Sequence, residues 1–257
     1  YYAAVAPFLL AEIQDRPLSL LRCPSGIKAD CFYQRNLGFG LGTHVHPFVW
    51  KYKGRSYKYI YVKDEQGLME MIQMGVIELH PWGATIDHIH TPDRMIFDLD
   101  PDATVPFSEV KQAACEVRDR LKQVGLDSAL KCTGGKGLHV VVSLAPTNSW
   151  EQVKDWSRTL AQTMVREAPD RYVATITKSK RIGKILIDFF RNDYTATSIA
   201  GYSLRARPGA PVAVPLEWRE LTALNSADQF RMDAVLERIQ RRAPQKAPSE
   251  QQLPKMR

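Results

Sequence analysis

The chain has 257 residues and a formal net charge of +7 at pH 7. This length allows one substantial core, or two small lobes that share a cleft. The positive charge favours a polyanionic partner, with nucleic acid first. No apolar run approaches the length of a membrane-spanning helix, which is about 20 residues, so we expect no membrane partner.

The four cysteines, Cys23, Cys31, Cys115 and Cys132, show no CxxC spacing. Such a sequence is typical of a cytoplasmic protein with reduced, mostly buried thiols. No signal peptide precedes the first residues, which resemble a helix already under way. We therefore expect a cytoplasmic protein from which residues upstream are missing.

Apolar segments of helical and strand type alternate in the first half of the chain. The predicted helices cover residues 1–14 and 68–74. The predicted strands cover residues 18–22, 31–35, 57–62 and 76–79. We interpret the glycine-rich residues 36–42 as a mobile loop.

The second half carries stronger signals. The predicted strands cover residues 95–100, 130–132, 138–144 and 184–190. Ser108 is predicted to cap a helix that Gly125 ends, and Ser149 with Gln152 forms a capping box for the next helix. A final helix is expected around residues 230–239, before a polar tail over residues 241–257 that we expect to be frayed.

The order of these elements indicates an α+β fold. Strands and helices alternate without a regular βαβ period, so we expect mixed β-sheets flanked by helices rather than a doubly wound fold. The sequence has no internal repeat, and we treat residues 1–257 as a single domain.

Three acidic residues at strand ends form the strongest candidate site. Asp98 and Asp100 lie on one predicted strand, where alternation places both carboxylates on the same face. Asp188 follows the apolar residues 185–187. Such oxygen ligands suit a pair of hard divalent cations. The alternative for the first two is a strand end with turn-forming acids before Pro101.

Asp188 is flanked by apolar residues on both sides, so its carboxylate would be costly to bury without a partner. Two explanations are open. Either a neighbouring arginine, Arg191 or Arg181, neutralises it, or it is a metal ligand. In combination with Asp98 and Asp100, we favour the metal ligand.

Residues 133–139 form a glycine-rich turn, Thr-Gly-Gly-Lys-Gly-Leu-His. It is not a Walker A loop, because the spacer and the Ser or Thr after the lysine are absent. A bare turn between two strands would not need the side chains of Thr133, Lys136 and His139. A triphosphate would use a hydroxyl, a cation and an imidazole, so these three residues are candidates for nucleotide binding.

Several cationic side chains are further candidates. Arg205 and Arg207 lie two residues apart in an extended segment, which gives both guanidinium groups one face for forked contacts with phosphate oxygens. Arg181 lies in another polar stretch near the predicted strand 184–190. The alternative for each arginine is a solvated surface position. His80 is open between a ligand role and a packed core histidine, with packing favoured.

Phe32 and Tyr33 are adjacent in a predicted strand, so only one of them can face the core. The other is either covered by another element or available to stack on a base. The run over residues 85–90 contains Asp87, His88 and His90. It could form a metal site by alternation, but a solvated loop is favoured.

With these motifs, the chain resembles the polymerase/primase domain of bacterial ATP-dependent DNA ligase D, in the archaeo-eukaryotic primase superfamily. The resemblance extends from Arg16 to Trp218 and depends on five motifs. They are His80-Pro81-Trp82-Gly83, Phe97-Asp98-Leu99-Asp100-Pro101, Gly134-Gly135-Lys136-Gly137-Leu138-His139, Ile187-Asp188-Phe189-Phe190-Arg191-Asn192 and Tyr202-Ser203-Leu204-Arg205-Ala206-Arg207-Pro208-Gly209.

The resemblance implies a primase-like catalytic core, with the active site in a cleft on the sheet. Asp98, Asp100 and Asp188 would be the catalytic residues and would hold two divalent ions, Mn²⁺ or Mg²⁺, for nucleotidyl transfer by the two-metal route. Together with the glycine-rich turn, it gives a set of nucleotide-binding candidates. They are His80, Thr133, Lys136, His139, Arg181 and Arg205.

Phe32 and Tyr33 match an aromatic pair of the family that contacts DNA at a break. Arg22 and Arg35, at the ends of the two predicted strands, complete the DNA-binding candidates. The resemblance implies addition of NTPs or dNTPs, preferably ribonucleotides, to 3′ ends and gap filling in non-homologous end joining. The implied partners are DNA ends with a 5′-phosphate, Ku and a fused ligase domain, and the implied location is the bacterial nucleoid during repair.

The chain departs from the family pattern at a few points. Thr133 stands where Ser is common, and Tyr33 where Phe is common, so the hydroxyl and the ring are kept. The family's N-terminal basic segment, which contributes contacts to DNA and its 5′-phosphate, is missing. A metal-dependent nuclease or phosphoesterase and a non-catalytic DNA-end-binding module are the alternative functions.

Overall fold

The structure, a computed structural model, describes residues 1–36, 42–241 and 249–254. Over these ranges the chain divides into two compact units, each assembled from separate stretches of sequence. The first unit comprises Tyr1–Ile89, Thr197–Val214 and Phe230–Lys246, and the second His90–Ala196, Pro215–Gln229 and Ala247–Arg257. A single domain over residues 1–257 stays a prediction. The predicted loop 36–42 lies outside the described residues except at its two ends.

Helices and strands occur in both units. The described helices are α1 (Tyr2–Ile13), α2 (Glu65–Gln73), α3 (Phe107–Gln123), α4 (Trp150–Glu167) and α5 (Met232–Gln240). The described strands are β1 (Leu18–Arg22), β2 (Phe32–Gln34), β3 (Val45–Tyr52), β4 (Arg55–Val62), β5 (Val76–Pro81), β6 (Arg94–Pro101), β7 (Ala129–Cys132), β8 (Leu138–Ser143), β9 (Tyr172–Val173), β10 (Ile185–Asp188) and β11 (Val214–Leu216). Short 3-10 helices cover Lys178–Arg181 and Trp218–Glu220.

The sheet of the first unit has, within the described ranges, five strands. Four follow the order β2-β1-β4-β3, and β5 pairs with β1 on an antiparallel path. Leu18, Leu20 and Ile60 are fully buried in its core. Strand β3 is not among the predicted strands, because Pro47 interrupts its pattern. At the edge of a sheet the missing N–H of a proline leaves no neighbour unpaired, which explains why the strand tolerates it.

The sheet of the second unit carries the acidic motifs. Its described strands follow the order β11-β7-β8-β6-β10-β9. Strand β6 lies between β8 and β10 and is antiparallel to both, whereas β9 runs parallel to β10. Helices α3 and α4 pack against β6. The predicted α+β class, with mixed sheets flanked by helices, is confirmed.

The two predicted helix caps of this unit have different outcomes. The capping box of α4 is confirmed, since Ser149 Oγ accepts from the backbone N–H of Gln152 and Gln152 Oε1 accepts from that of Ser149. The predicted cap at Ser108 is wrong, because α3 already begins at Phe107 with Pro106 at the N-cap. The fixed φ of Pro106 suits the extended backbone at this N-cap, and its carbonyl accepts from the backbone N–H of Glu109 at 3.0 Å.

The expectation of four reduced thiols is also wrong in part. Cys23 and Cys31 form a disulfide with a Cα–Cα distance of 4.4 Å, whereas Cys115 and Cys132 keep reduced thiols. The reason is the pairing of β1 with β2. Arg22 lies opposite Phe32, so the two cysteines occupy the next position of the hairpin on each strand. Their spacing alone carried no sign of this closure.

The described part of the C-terminal tail contacts the second unit. Gln251 forms a parallel bridge with Leu144, and its Nε2 donates to the backbone oxygen of Asp127 at 2.9 Å. Residues 242–248 and 255–257 lie outside the described ranges, so a frayed tail stays a prediction for them.

In the described part of the chain, none of the helices has the length and apolarity to cross a membrane.

Candidate active site

Four polar residues form a row across the sheet of the second unit. Asp188 on β10 lies opposite Asp98 on β6, which in turn lies opposite His139 on β8. His139 lies opposite Lys131 on β7. Directly opposed residues on paired strands present their side chains to the same face. Asp100, two residues along β6, shares this face, so the three predicted acids are brought together.

Two arginines neutralise these acids. Arg191 Nε lies 3.2 Å from Asp98 Oδ2 and 3.2 Å from Asp188 Oδ2, so one guanidinium bridges both carboxylates. Arg181 pairs with Asp100. The arginine partner that the sequence left open for Asp188 is therefore Arg191. Asp188 is only 7% exposed, which makes this partner important.

Three side chains of this row, Asp98, His139 and Asp188, have pKa values that differ from those of isolated side chains. The pKa of Asp188 is raised to about 6, mainly by burial and also by the nearby carboxylates of Asp98 and Asp100, against the lowering effect of Arg191. Burial also opposes ionisation of Asp98, but His139 and Arg191 together lower its pKa. The pKa of His139 is itself lowered, mainly by burial. Arg191 supplies a positive charge beside Asp98.

The donor set of this site suits hard divalent cations. Among the residues described, no group of three or more His, Cys, Asp or Glu side chains has the arrangement of a metal site. The carboxylates are instead paired with Arg181 and Arg191. The acids nevertheless fit such ions, because three carboxylates lie on one sheet face, and burial together with the charges of Asp98 and Asp100 raises the pKa of Asp188. Asp98, Asp100 and Asp188 are therefore the residues that would hold them.

The glycine-rich turn packs directly against the acid strand. A Cβ atom at Gly137 would lie 2.1 Å from the backbone oxygen of Leu99, so only glycine fits there. The hydroxyl of Thr133 donates to the carbonyl of Gly137 at 2.8 Å and accepts from the N–H of Gly135 at 3.2 Å. Thr133 thus closes the turn itself, whereas Lys136 is exposed on it.

His139 is the last residue of this turn and is almost fully buried. Its Nε2 is 3.4 Å from Asp98 Oδ1. Its Nδ1 is buried and has no hydrogen-bond partner in the described part of the protein. A buried nitrogen of this kind is costly unless a ligand pairs with it. The role of His139 in nucleotide binding stays a prediction.

The first unit holds the other two predicted nucleotide-binding residues. His80 Nε2 bonds to Glu78 Oε2 at 2.8 Å, and Arg205 Nε lies 3.2 Å from Glu78 Oε1. His80 is partly exposed, so it is not a fully packed core histidine. Glu78 was not a sequence candidate. The only signal for it is the Glu-x-His spacing, which places both side chains on the same side of a strand.

The predicted aromatic pair is exposed on the edge strand β2. Phe32 is 47% and Tyr33 64% exposed, and the Tyr33 ring lies 6.1 Å from that of His80. Both rings are therefore open to a partner. Arg35 is exposed beside them. Arg22 is buried and donates to Met74 and Gln34, so its role in DNA binding stays a prediction.

The run over residues 85–90 has the structure of turns and bends. Asp87, His88 and His90 are exposed, and the ring of His90 bonds to the hydroxyl of Tyr194 at 3.0 Å. The favoured interpretation as a solvated loop agrees with this arrangement.

Comparisons with known proteins agree with the fold. The chain matches the family model described as LigD, primase-polymerase domain, over residues 1–245. It is 33% identical over 239 residues to the multifunctional non-homologous end joining protein LigD of Pseudomonas aeruginosa, which covers 93% of this chain and 28% of that protein. It is 30% identical over 241 residues to the LigD protein of the same description from Mycolicibacterium smegmatis, covering 93% and 32%.

A solved structure is similar as well. The polymerase domain from Mycobacterium tuberculosis ligase D in complex with DNA superposes with a TM-score of 0.86 and 29% identity, over 94% of this chain and 86% of that one. The chain spans between 28% and 39% of the length of the curated relatives it matches.

The α+β fold and the acid-lined sheet face define a nucleotidyltransferase of the primase-polymerase class. The chain belongs to the LigD primase-polymerase domain family, whose members are metal-dependent nucleotidyltransferases. The resemblance found from the sequence motifs is confirmed.

Proposed function

We propose that this domain adds nucleotides, preferably ribonucleotides, to the 3′ ends of broken or gapped DNA during non-homologous end joining. The observation that carries this proposal is the alignment of Asp98 and Asp188 on neighbouring strands, with the glycine-rich turn and His139 packed beside them. The names of the relatives support the repair context, and the similar solved domain is in complex with DNA.

The chemistry divides between bound ions and protein groups. Mn²⁺ or Mg²⁺ ions, two in number, would supply the charge that stabilises phosphoryl transfer. Asp98, Asp100 and Asp188 would hold these ions on one face of the sheet. The remaining groups bind and orient the NTP or dNTP. They are His80, Thr133, Lys136, His139, Arg181 and Arg205.

Recognition of DNA is assigned to the first unit. Phe32 and Tyr33 stack on bases at the break, since both rings are exposed. Arg35, exposed next to this pair, contacts phosphate. Arg22, on the neighbouring strand β1, supports strand β2. The partners are DNA ends with a 5′-phosphate, with Ku and a fused ligase domain in the same repair reaction at the bacterial nucleoid.

The test is primer extension on gapped DNA that carries a downstream 5′-phosphate, with Mn²⁺ and either ATP or dATP. We expect lengthened primers, with ATP used more efficiently than dATP. Asp98→Ala serves as the control for a contaminating polymerase. Shortened primers would indicate a nuclease, and DNA binding that needs no metal and gives no extension would indicate an end-binding module.

A further inference from the structure

A buried carboxylate connects the two nucleotide-binding candidates of the first unit. Glu78 on β5 is 3% exposed. Its Oε2 bonds to His80 Nε2 at 2.8 Å, and its Oε1 accepts from the backbone N–H of Ala206 at 2.9 Å. The same Oε1 lies 3.2 Å from Arg205 Nε. One side chain thus contacts residues that are more than a hundred positions apart in sequence.

The backbone around these contacts is also fixed. The segment before Arg205 runs along β5, where the N–H of Ala200 donates to Leu79 O at 2.9 Å and the N–H of Leu79 donates to Ser203 Oγ at 3.0 Å. The N–H of Arg205 donates to Pro211 O at 2.8 Å. The backbone would therefore hold its place without Glu78, and the carboxylate acts mainly on side-chain orientation.

The charge of Glu78 follows from its partners. Burial opposes ionisation, but the hydrogen bond of His80 and the charges of Arg205 and His80 outweigh it and lower the pKa of Glu78 to about 2. An ionised carboxylate only accepts hydrogen bonds, so the His80 nitrogen that faces it carries a proton. The carboxylate therefore holds the imidazole by its Nε2–H and attracts the guanidinium of Arg205.

We propose that Glu78 is a positioning residue for nucleotide binding, which orients His80 and Arg205 so that both present their donors to the triphosphate. This inference depends on the proposed function of the two residues. Glu78 does not touch the nucleotide. Its role is similar to that of the carboxylates that accept a hydrogen bond from the second ring nitrogen of a metal-ligating histidine and so fix the orientation of the ring.

The test is steady-state primer extension with ATP by the 257-residue chain, comparing wild type with Glu78→Gln. Glutamine keeps the shape and one acceptor oxygen but loses the charge that holds both partners. We expect KM for ATP to rise about 10- to 100-fold, because misplaced His80 and Arg205 side chains lose hydrogen bonds to the charged triphosphate in the ground state. We expect kcat to change less than about threefold. Equal loss in kcat, or an unchanged KM, would overturn the proposal.

A matched control is Glu70→Gln in the same unit, whose carboxylate accepts from the backbone N–H of His44 at 2.7 Å. It makes the same chemical change away from His80 and Arg205, and we expect an unchanged KM. Glu78→Asp, which keeps the charge but shortens the side chain, gives the same comparison if the glutamine variant does not fold. An intermediate KM for Glu78→Asp supports the proposal, and a wild-type KM contradicts it.

A double-mutant cycle separates this inference from the proposed function. If Glu78 acts through His80 and Arg205, Glu78→Gln should add little to the KM of the His80→Ala/Arg205→Ala double variant, whereas independent effects would multiply. Multiplying effects contradict the proposal. If Arg205→Ala and His80→Ala raise KM but Glu78→Gln does not, the nucleotide-binding roles stand and only the positioning role falls. If neither of those alanine variants raises KM, both fall.

Discussion

Asp98 and Asp188 occupy directly opposed positions on antiparallel strands, and the Nε of Arg191 lies 3.2 Å from a carboxylate oxygen of each. Two neighbouring carboxylates with little access to water repel each other unless a cation lies between them. Arg191 supplies that cation in the protein as described. Divalent ions would have to compete with this guanidinium or move it, so the pair is both a candidate metal site and a point of internal repulsion.

The first prediction concerns catalysis by this pair. Asp98→Ala and Asp188→Ala should each lower primer extension by about a thousandfold or more, because the remaining carboxylates would no longer hold the ions that activate transfer. DNA binding, measured by fluorescence anisotropy, should stay within about threefold of wild type, because phosphate and base contacts dominate it. Asp155→Ala is the matched control, since that acid pairs with Arg158 on the surface of α4. Near-normal extension by Asp98→Ala would show that the site is assigned wrongly.

The second prediction concerns pH. The pKa of Asp188 rises from 3.8 to about 6 on folding, so the folded state binds this proton more tightly than the unfolded state. The stabilisation is present below pH 3.8 and is lost as the pH rises through about 6. In EDTA at about pH 8, Asp188→Asn should therefore raise the melting temperature by about 2–6 °C, and the difference should shrink toward about pH 4.

Scanning calorimetry across this pH range measures the effect. Adding Mn²⁺ provides the complementary test, because an ion bound to the carboxylates should stabilise the wild type more than Asp188→Asn. A variant that is less stable than wild type at about pH 8 in EDTA would contradict the assigned repulsion.

The third prediction concerns the exposed aromatic pair. Phe32→Ala and Tyr33→Ala should each weaken binding to gapped DNA by about 5- to 100-fold, since stacking on a base contributes about 1–3 kcal/mol. Stability should change by less than about 1 kcal/mol, because both rings are exposed. Val49→Ala, at a residue that is 54% exposed on β3, is the control for loss of surface apolar area. Equal losses for all three variants would mean that the pair has no specific role.

The fourth prediction concerns the cysteines. Alkylation of the unfolded protein without reductant should modify only Cys115 and Cys132, and all four cysteines should react after reduction. Mass spectrometry counts the added groups. Reduction should also lower the free energy of unfolding by about 2–3 kcal/mol, because a short loop is no longer closed in the unfolded chain. Four modified cysteines without reductant would restore the expectation of reduced thiols.

The fifth prediction concerns a buried amide beside the site. Asn192 Oδ1 accepts from the N–H of Ile96 at 2.7 Å, and its Nδ2 donates to Ile96 O at 2.8 Å and to Ser157 Oγ at 3.0 Å. Asn192→Ala leaves these buried groups unpaired and should destabilise the protein by about 2–4 kcal/mol in urea unfolding. The exposed Asn225→Ala should stay within about 0.5 kcal/mol of wild type. A neutral Asn192→Ala would show that the three bonds contribute little.

The sequence predicted most of the second unit because its signals are local. The apolar runs before Asp98 and Asp188 define two strands, and alternation along one strand places Asp98 and Asp100 together. The capping box at Ser149 fixes the start of α4. The meeting of Asp98 with Asp188 did not follow from any local rule. It depends on strand pairing, and the family resemblance, rather than periodicity, indicated it.

The features that were missed depend on contacts between distant segments. Glu78 belongs to no motif, and its importance appears only when the segment around Arg205 lies beside β5. The Cys23–Cys31 bond requires the β1–β2 hairpin, whose register a sequence does not state. Strand β3 was missed for a different reason. Pro47 argues against a central strand, and whether a strand lies at an edge is decided by the whole sheet.

Gly137 has a consequence for any attempt to alter this enzyme. Because the missing side chain lets the main chain of the turn touch the main chain at Leu99, the gap between these two parts of the molecule is already at its minimum. Exchange of residue 137 can only widen it, and widening would separate the glycine-rich turn from the acids. Engineers who wish to change nucleotide selectivity therefore have more freedom at the exposed Lys136 than at the glycine beside it.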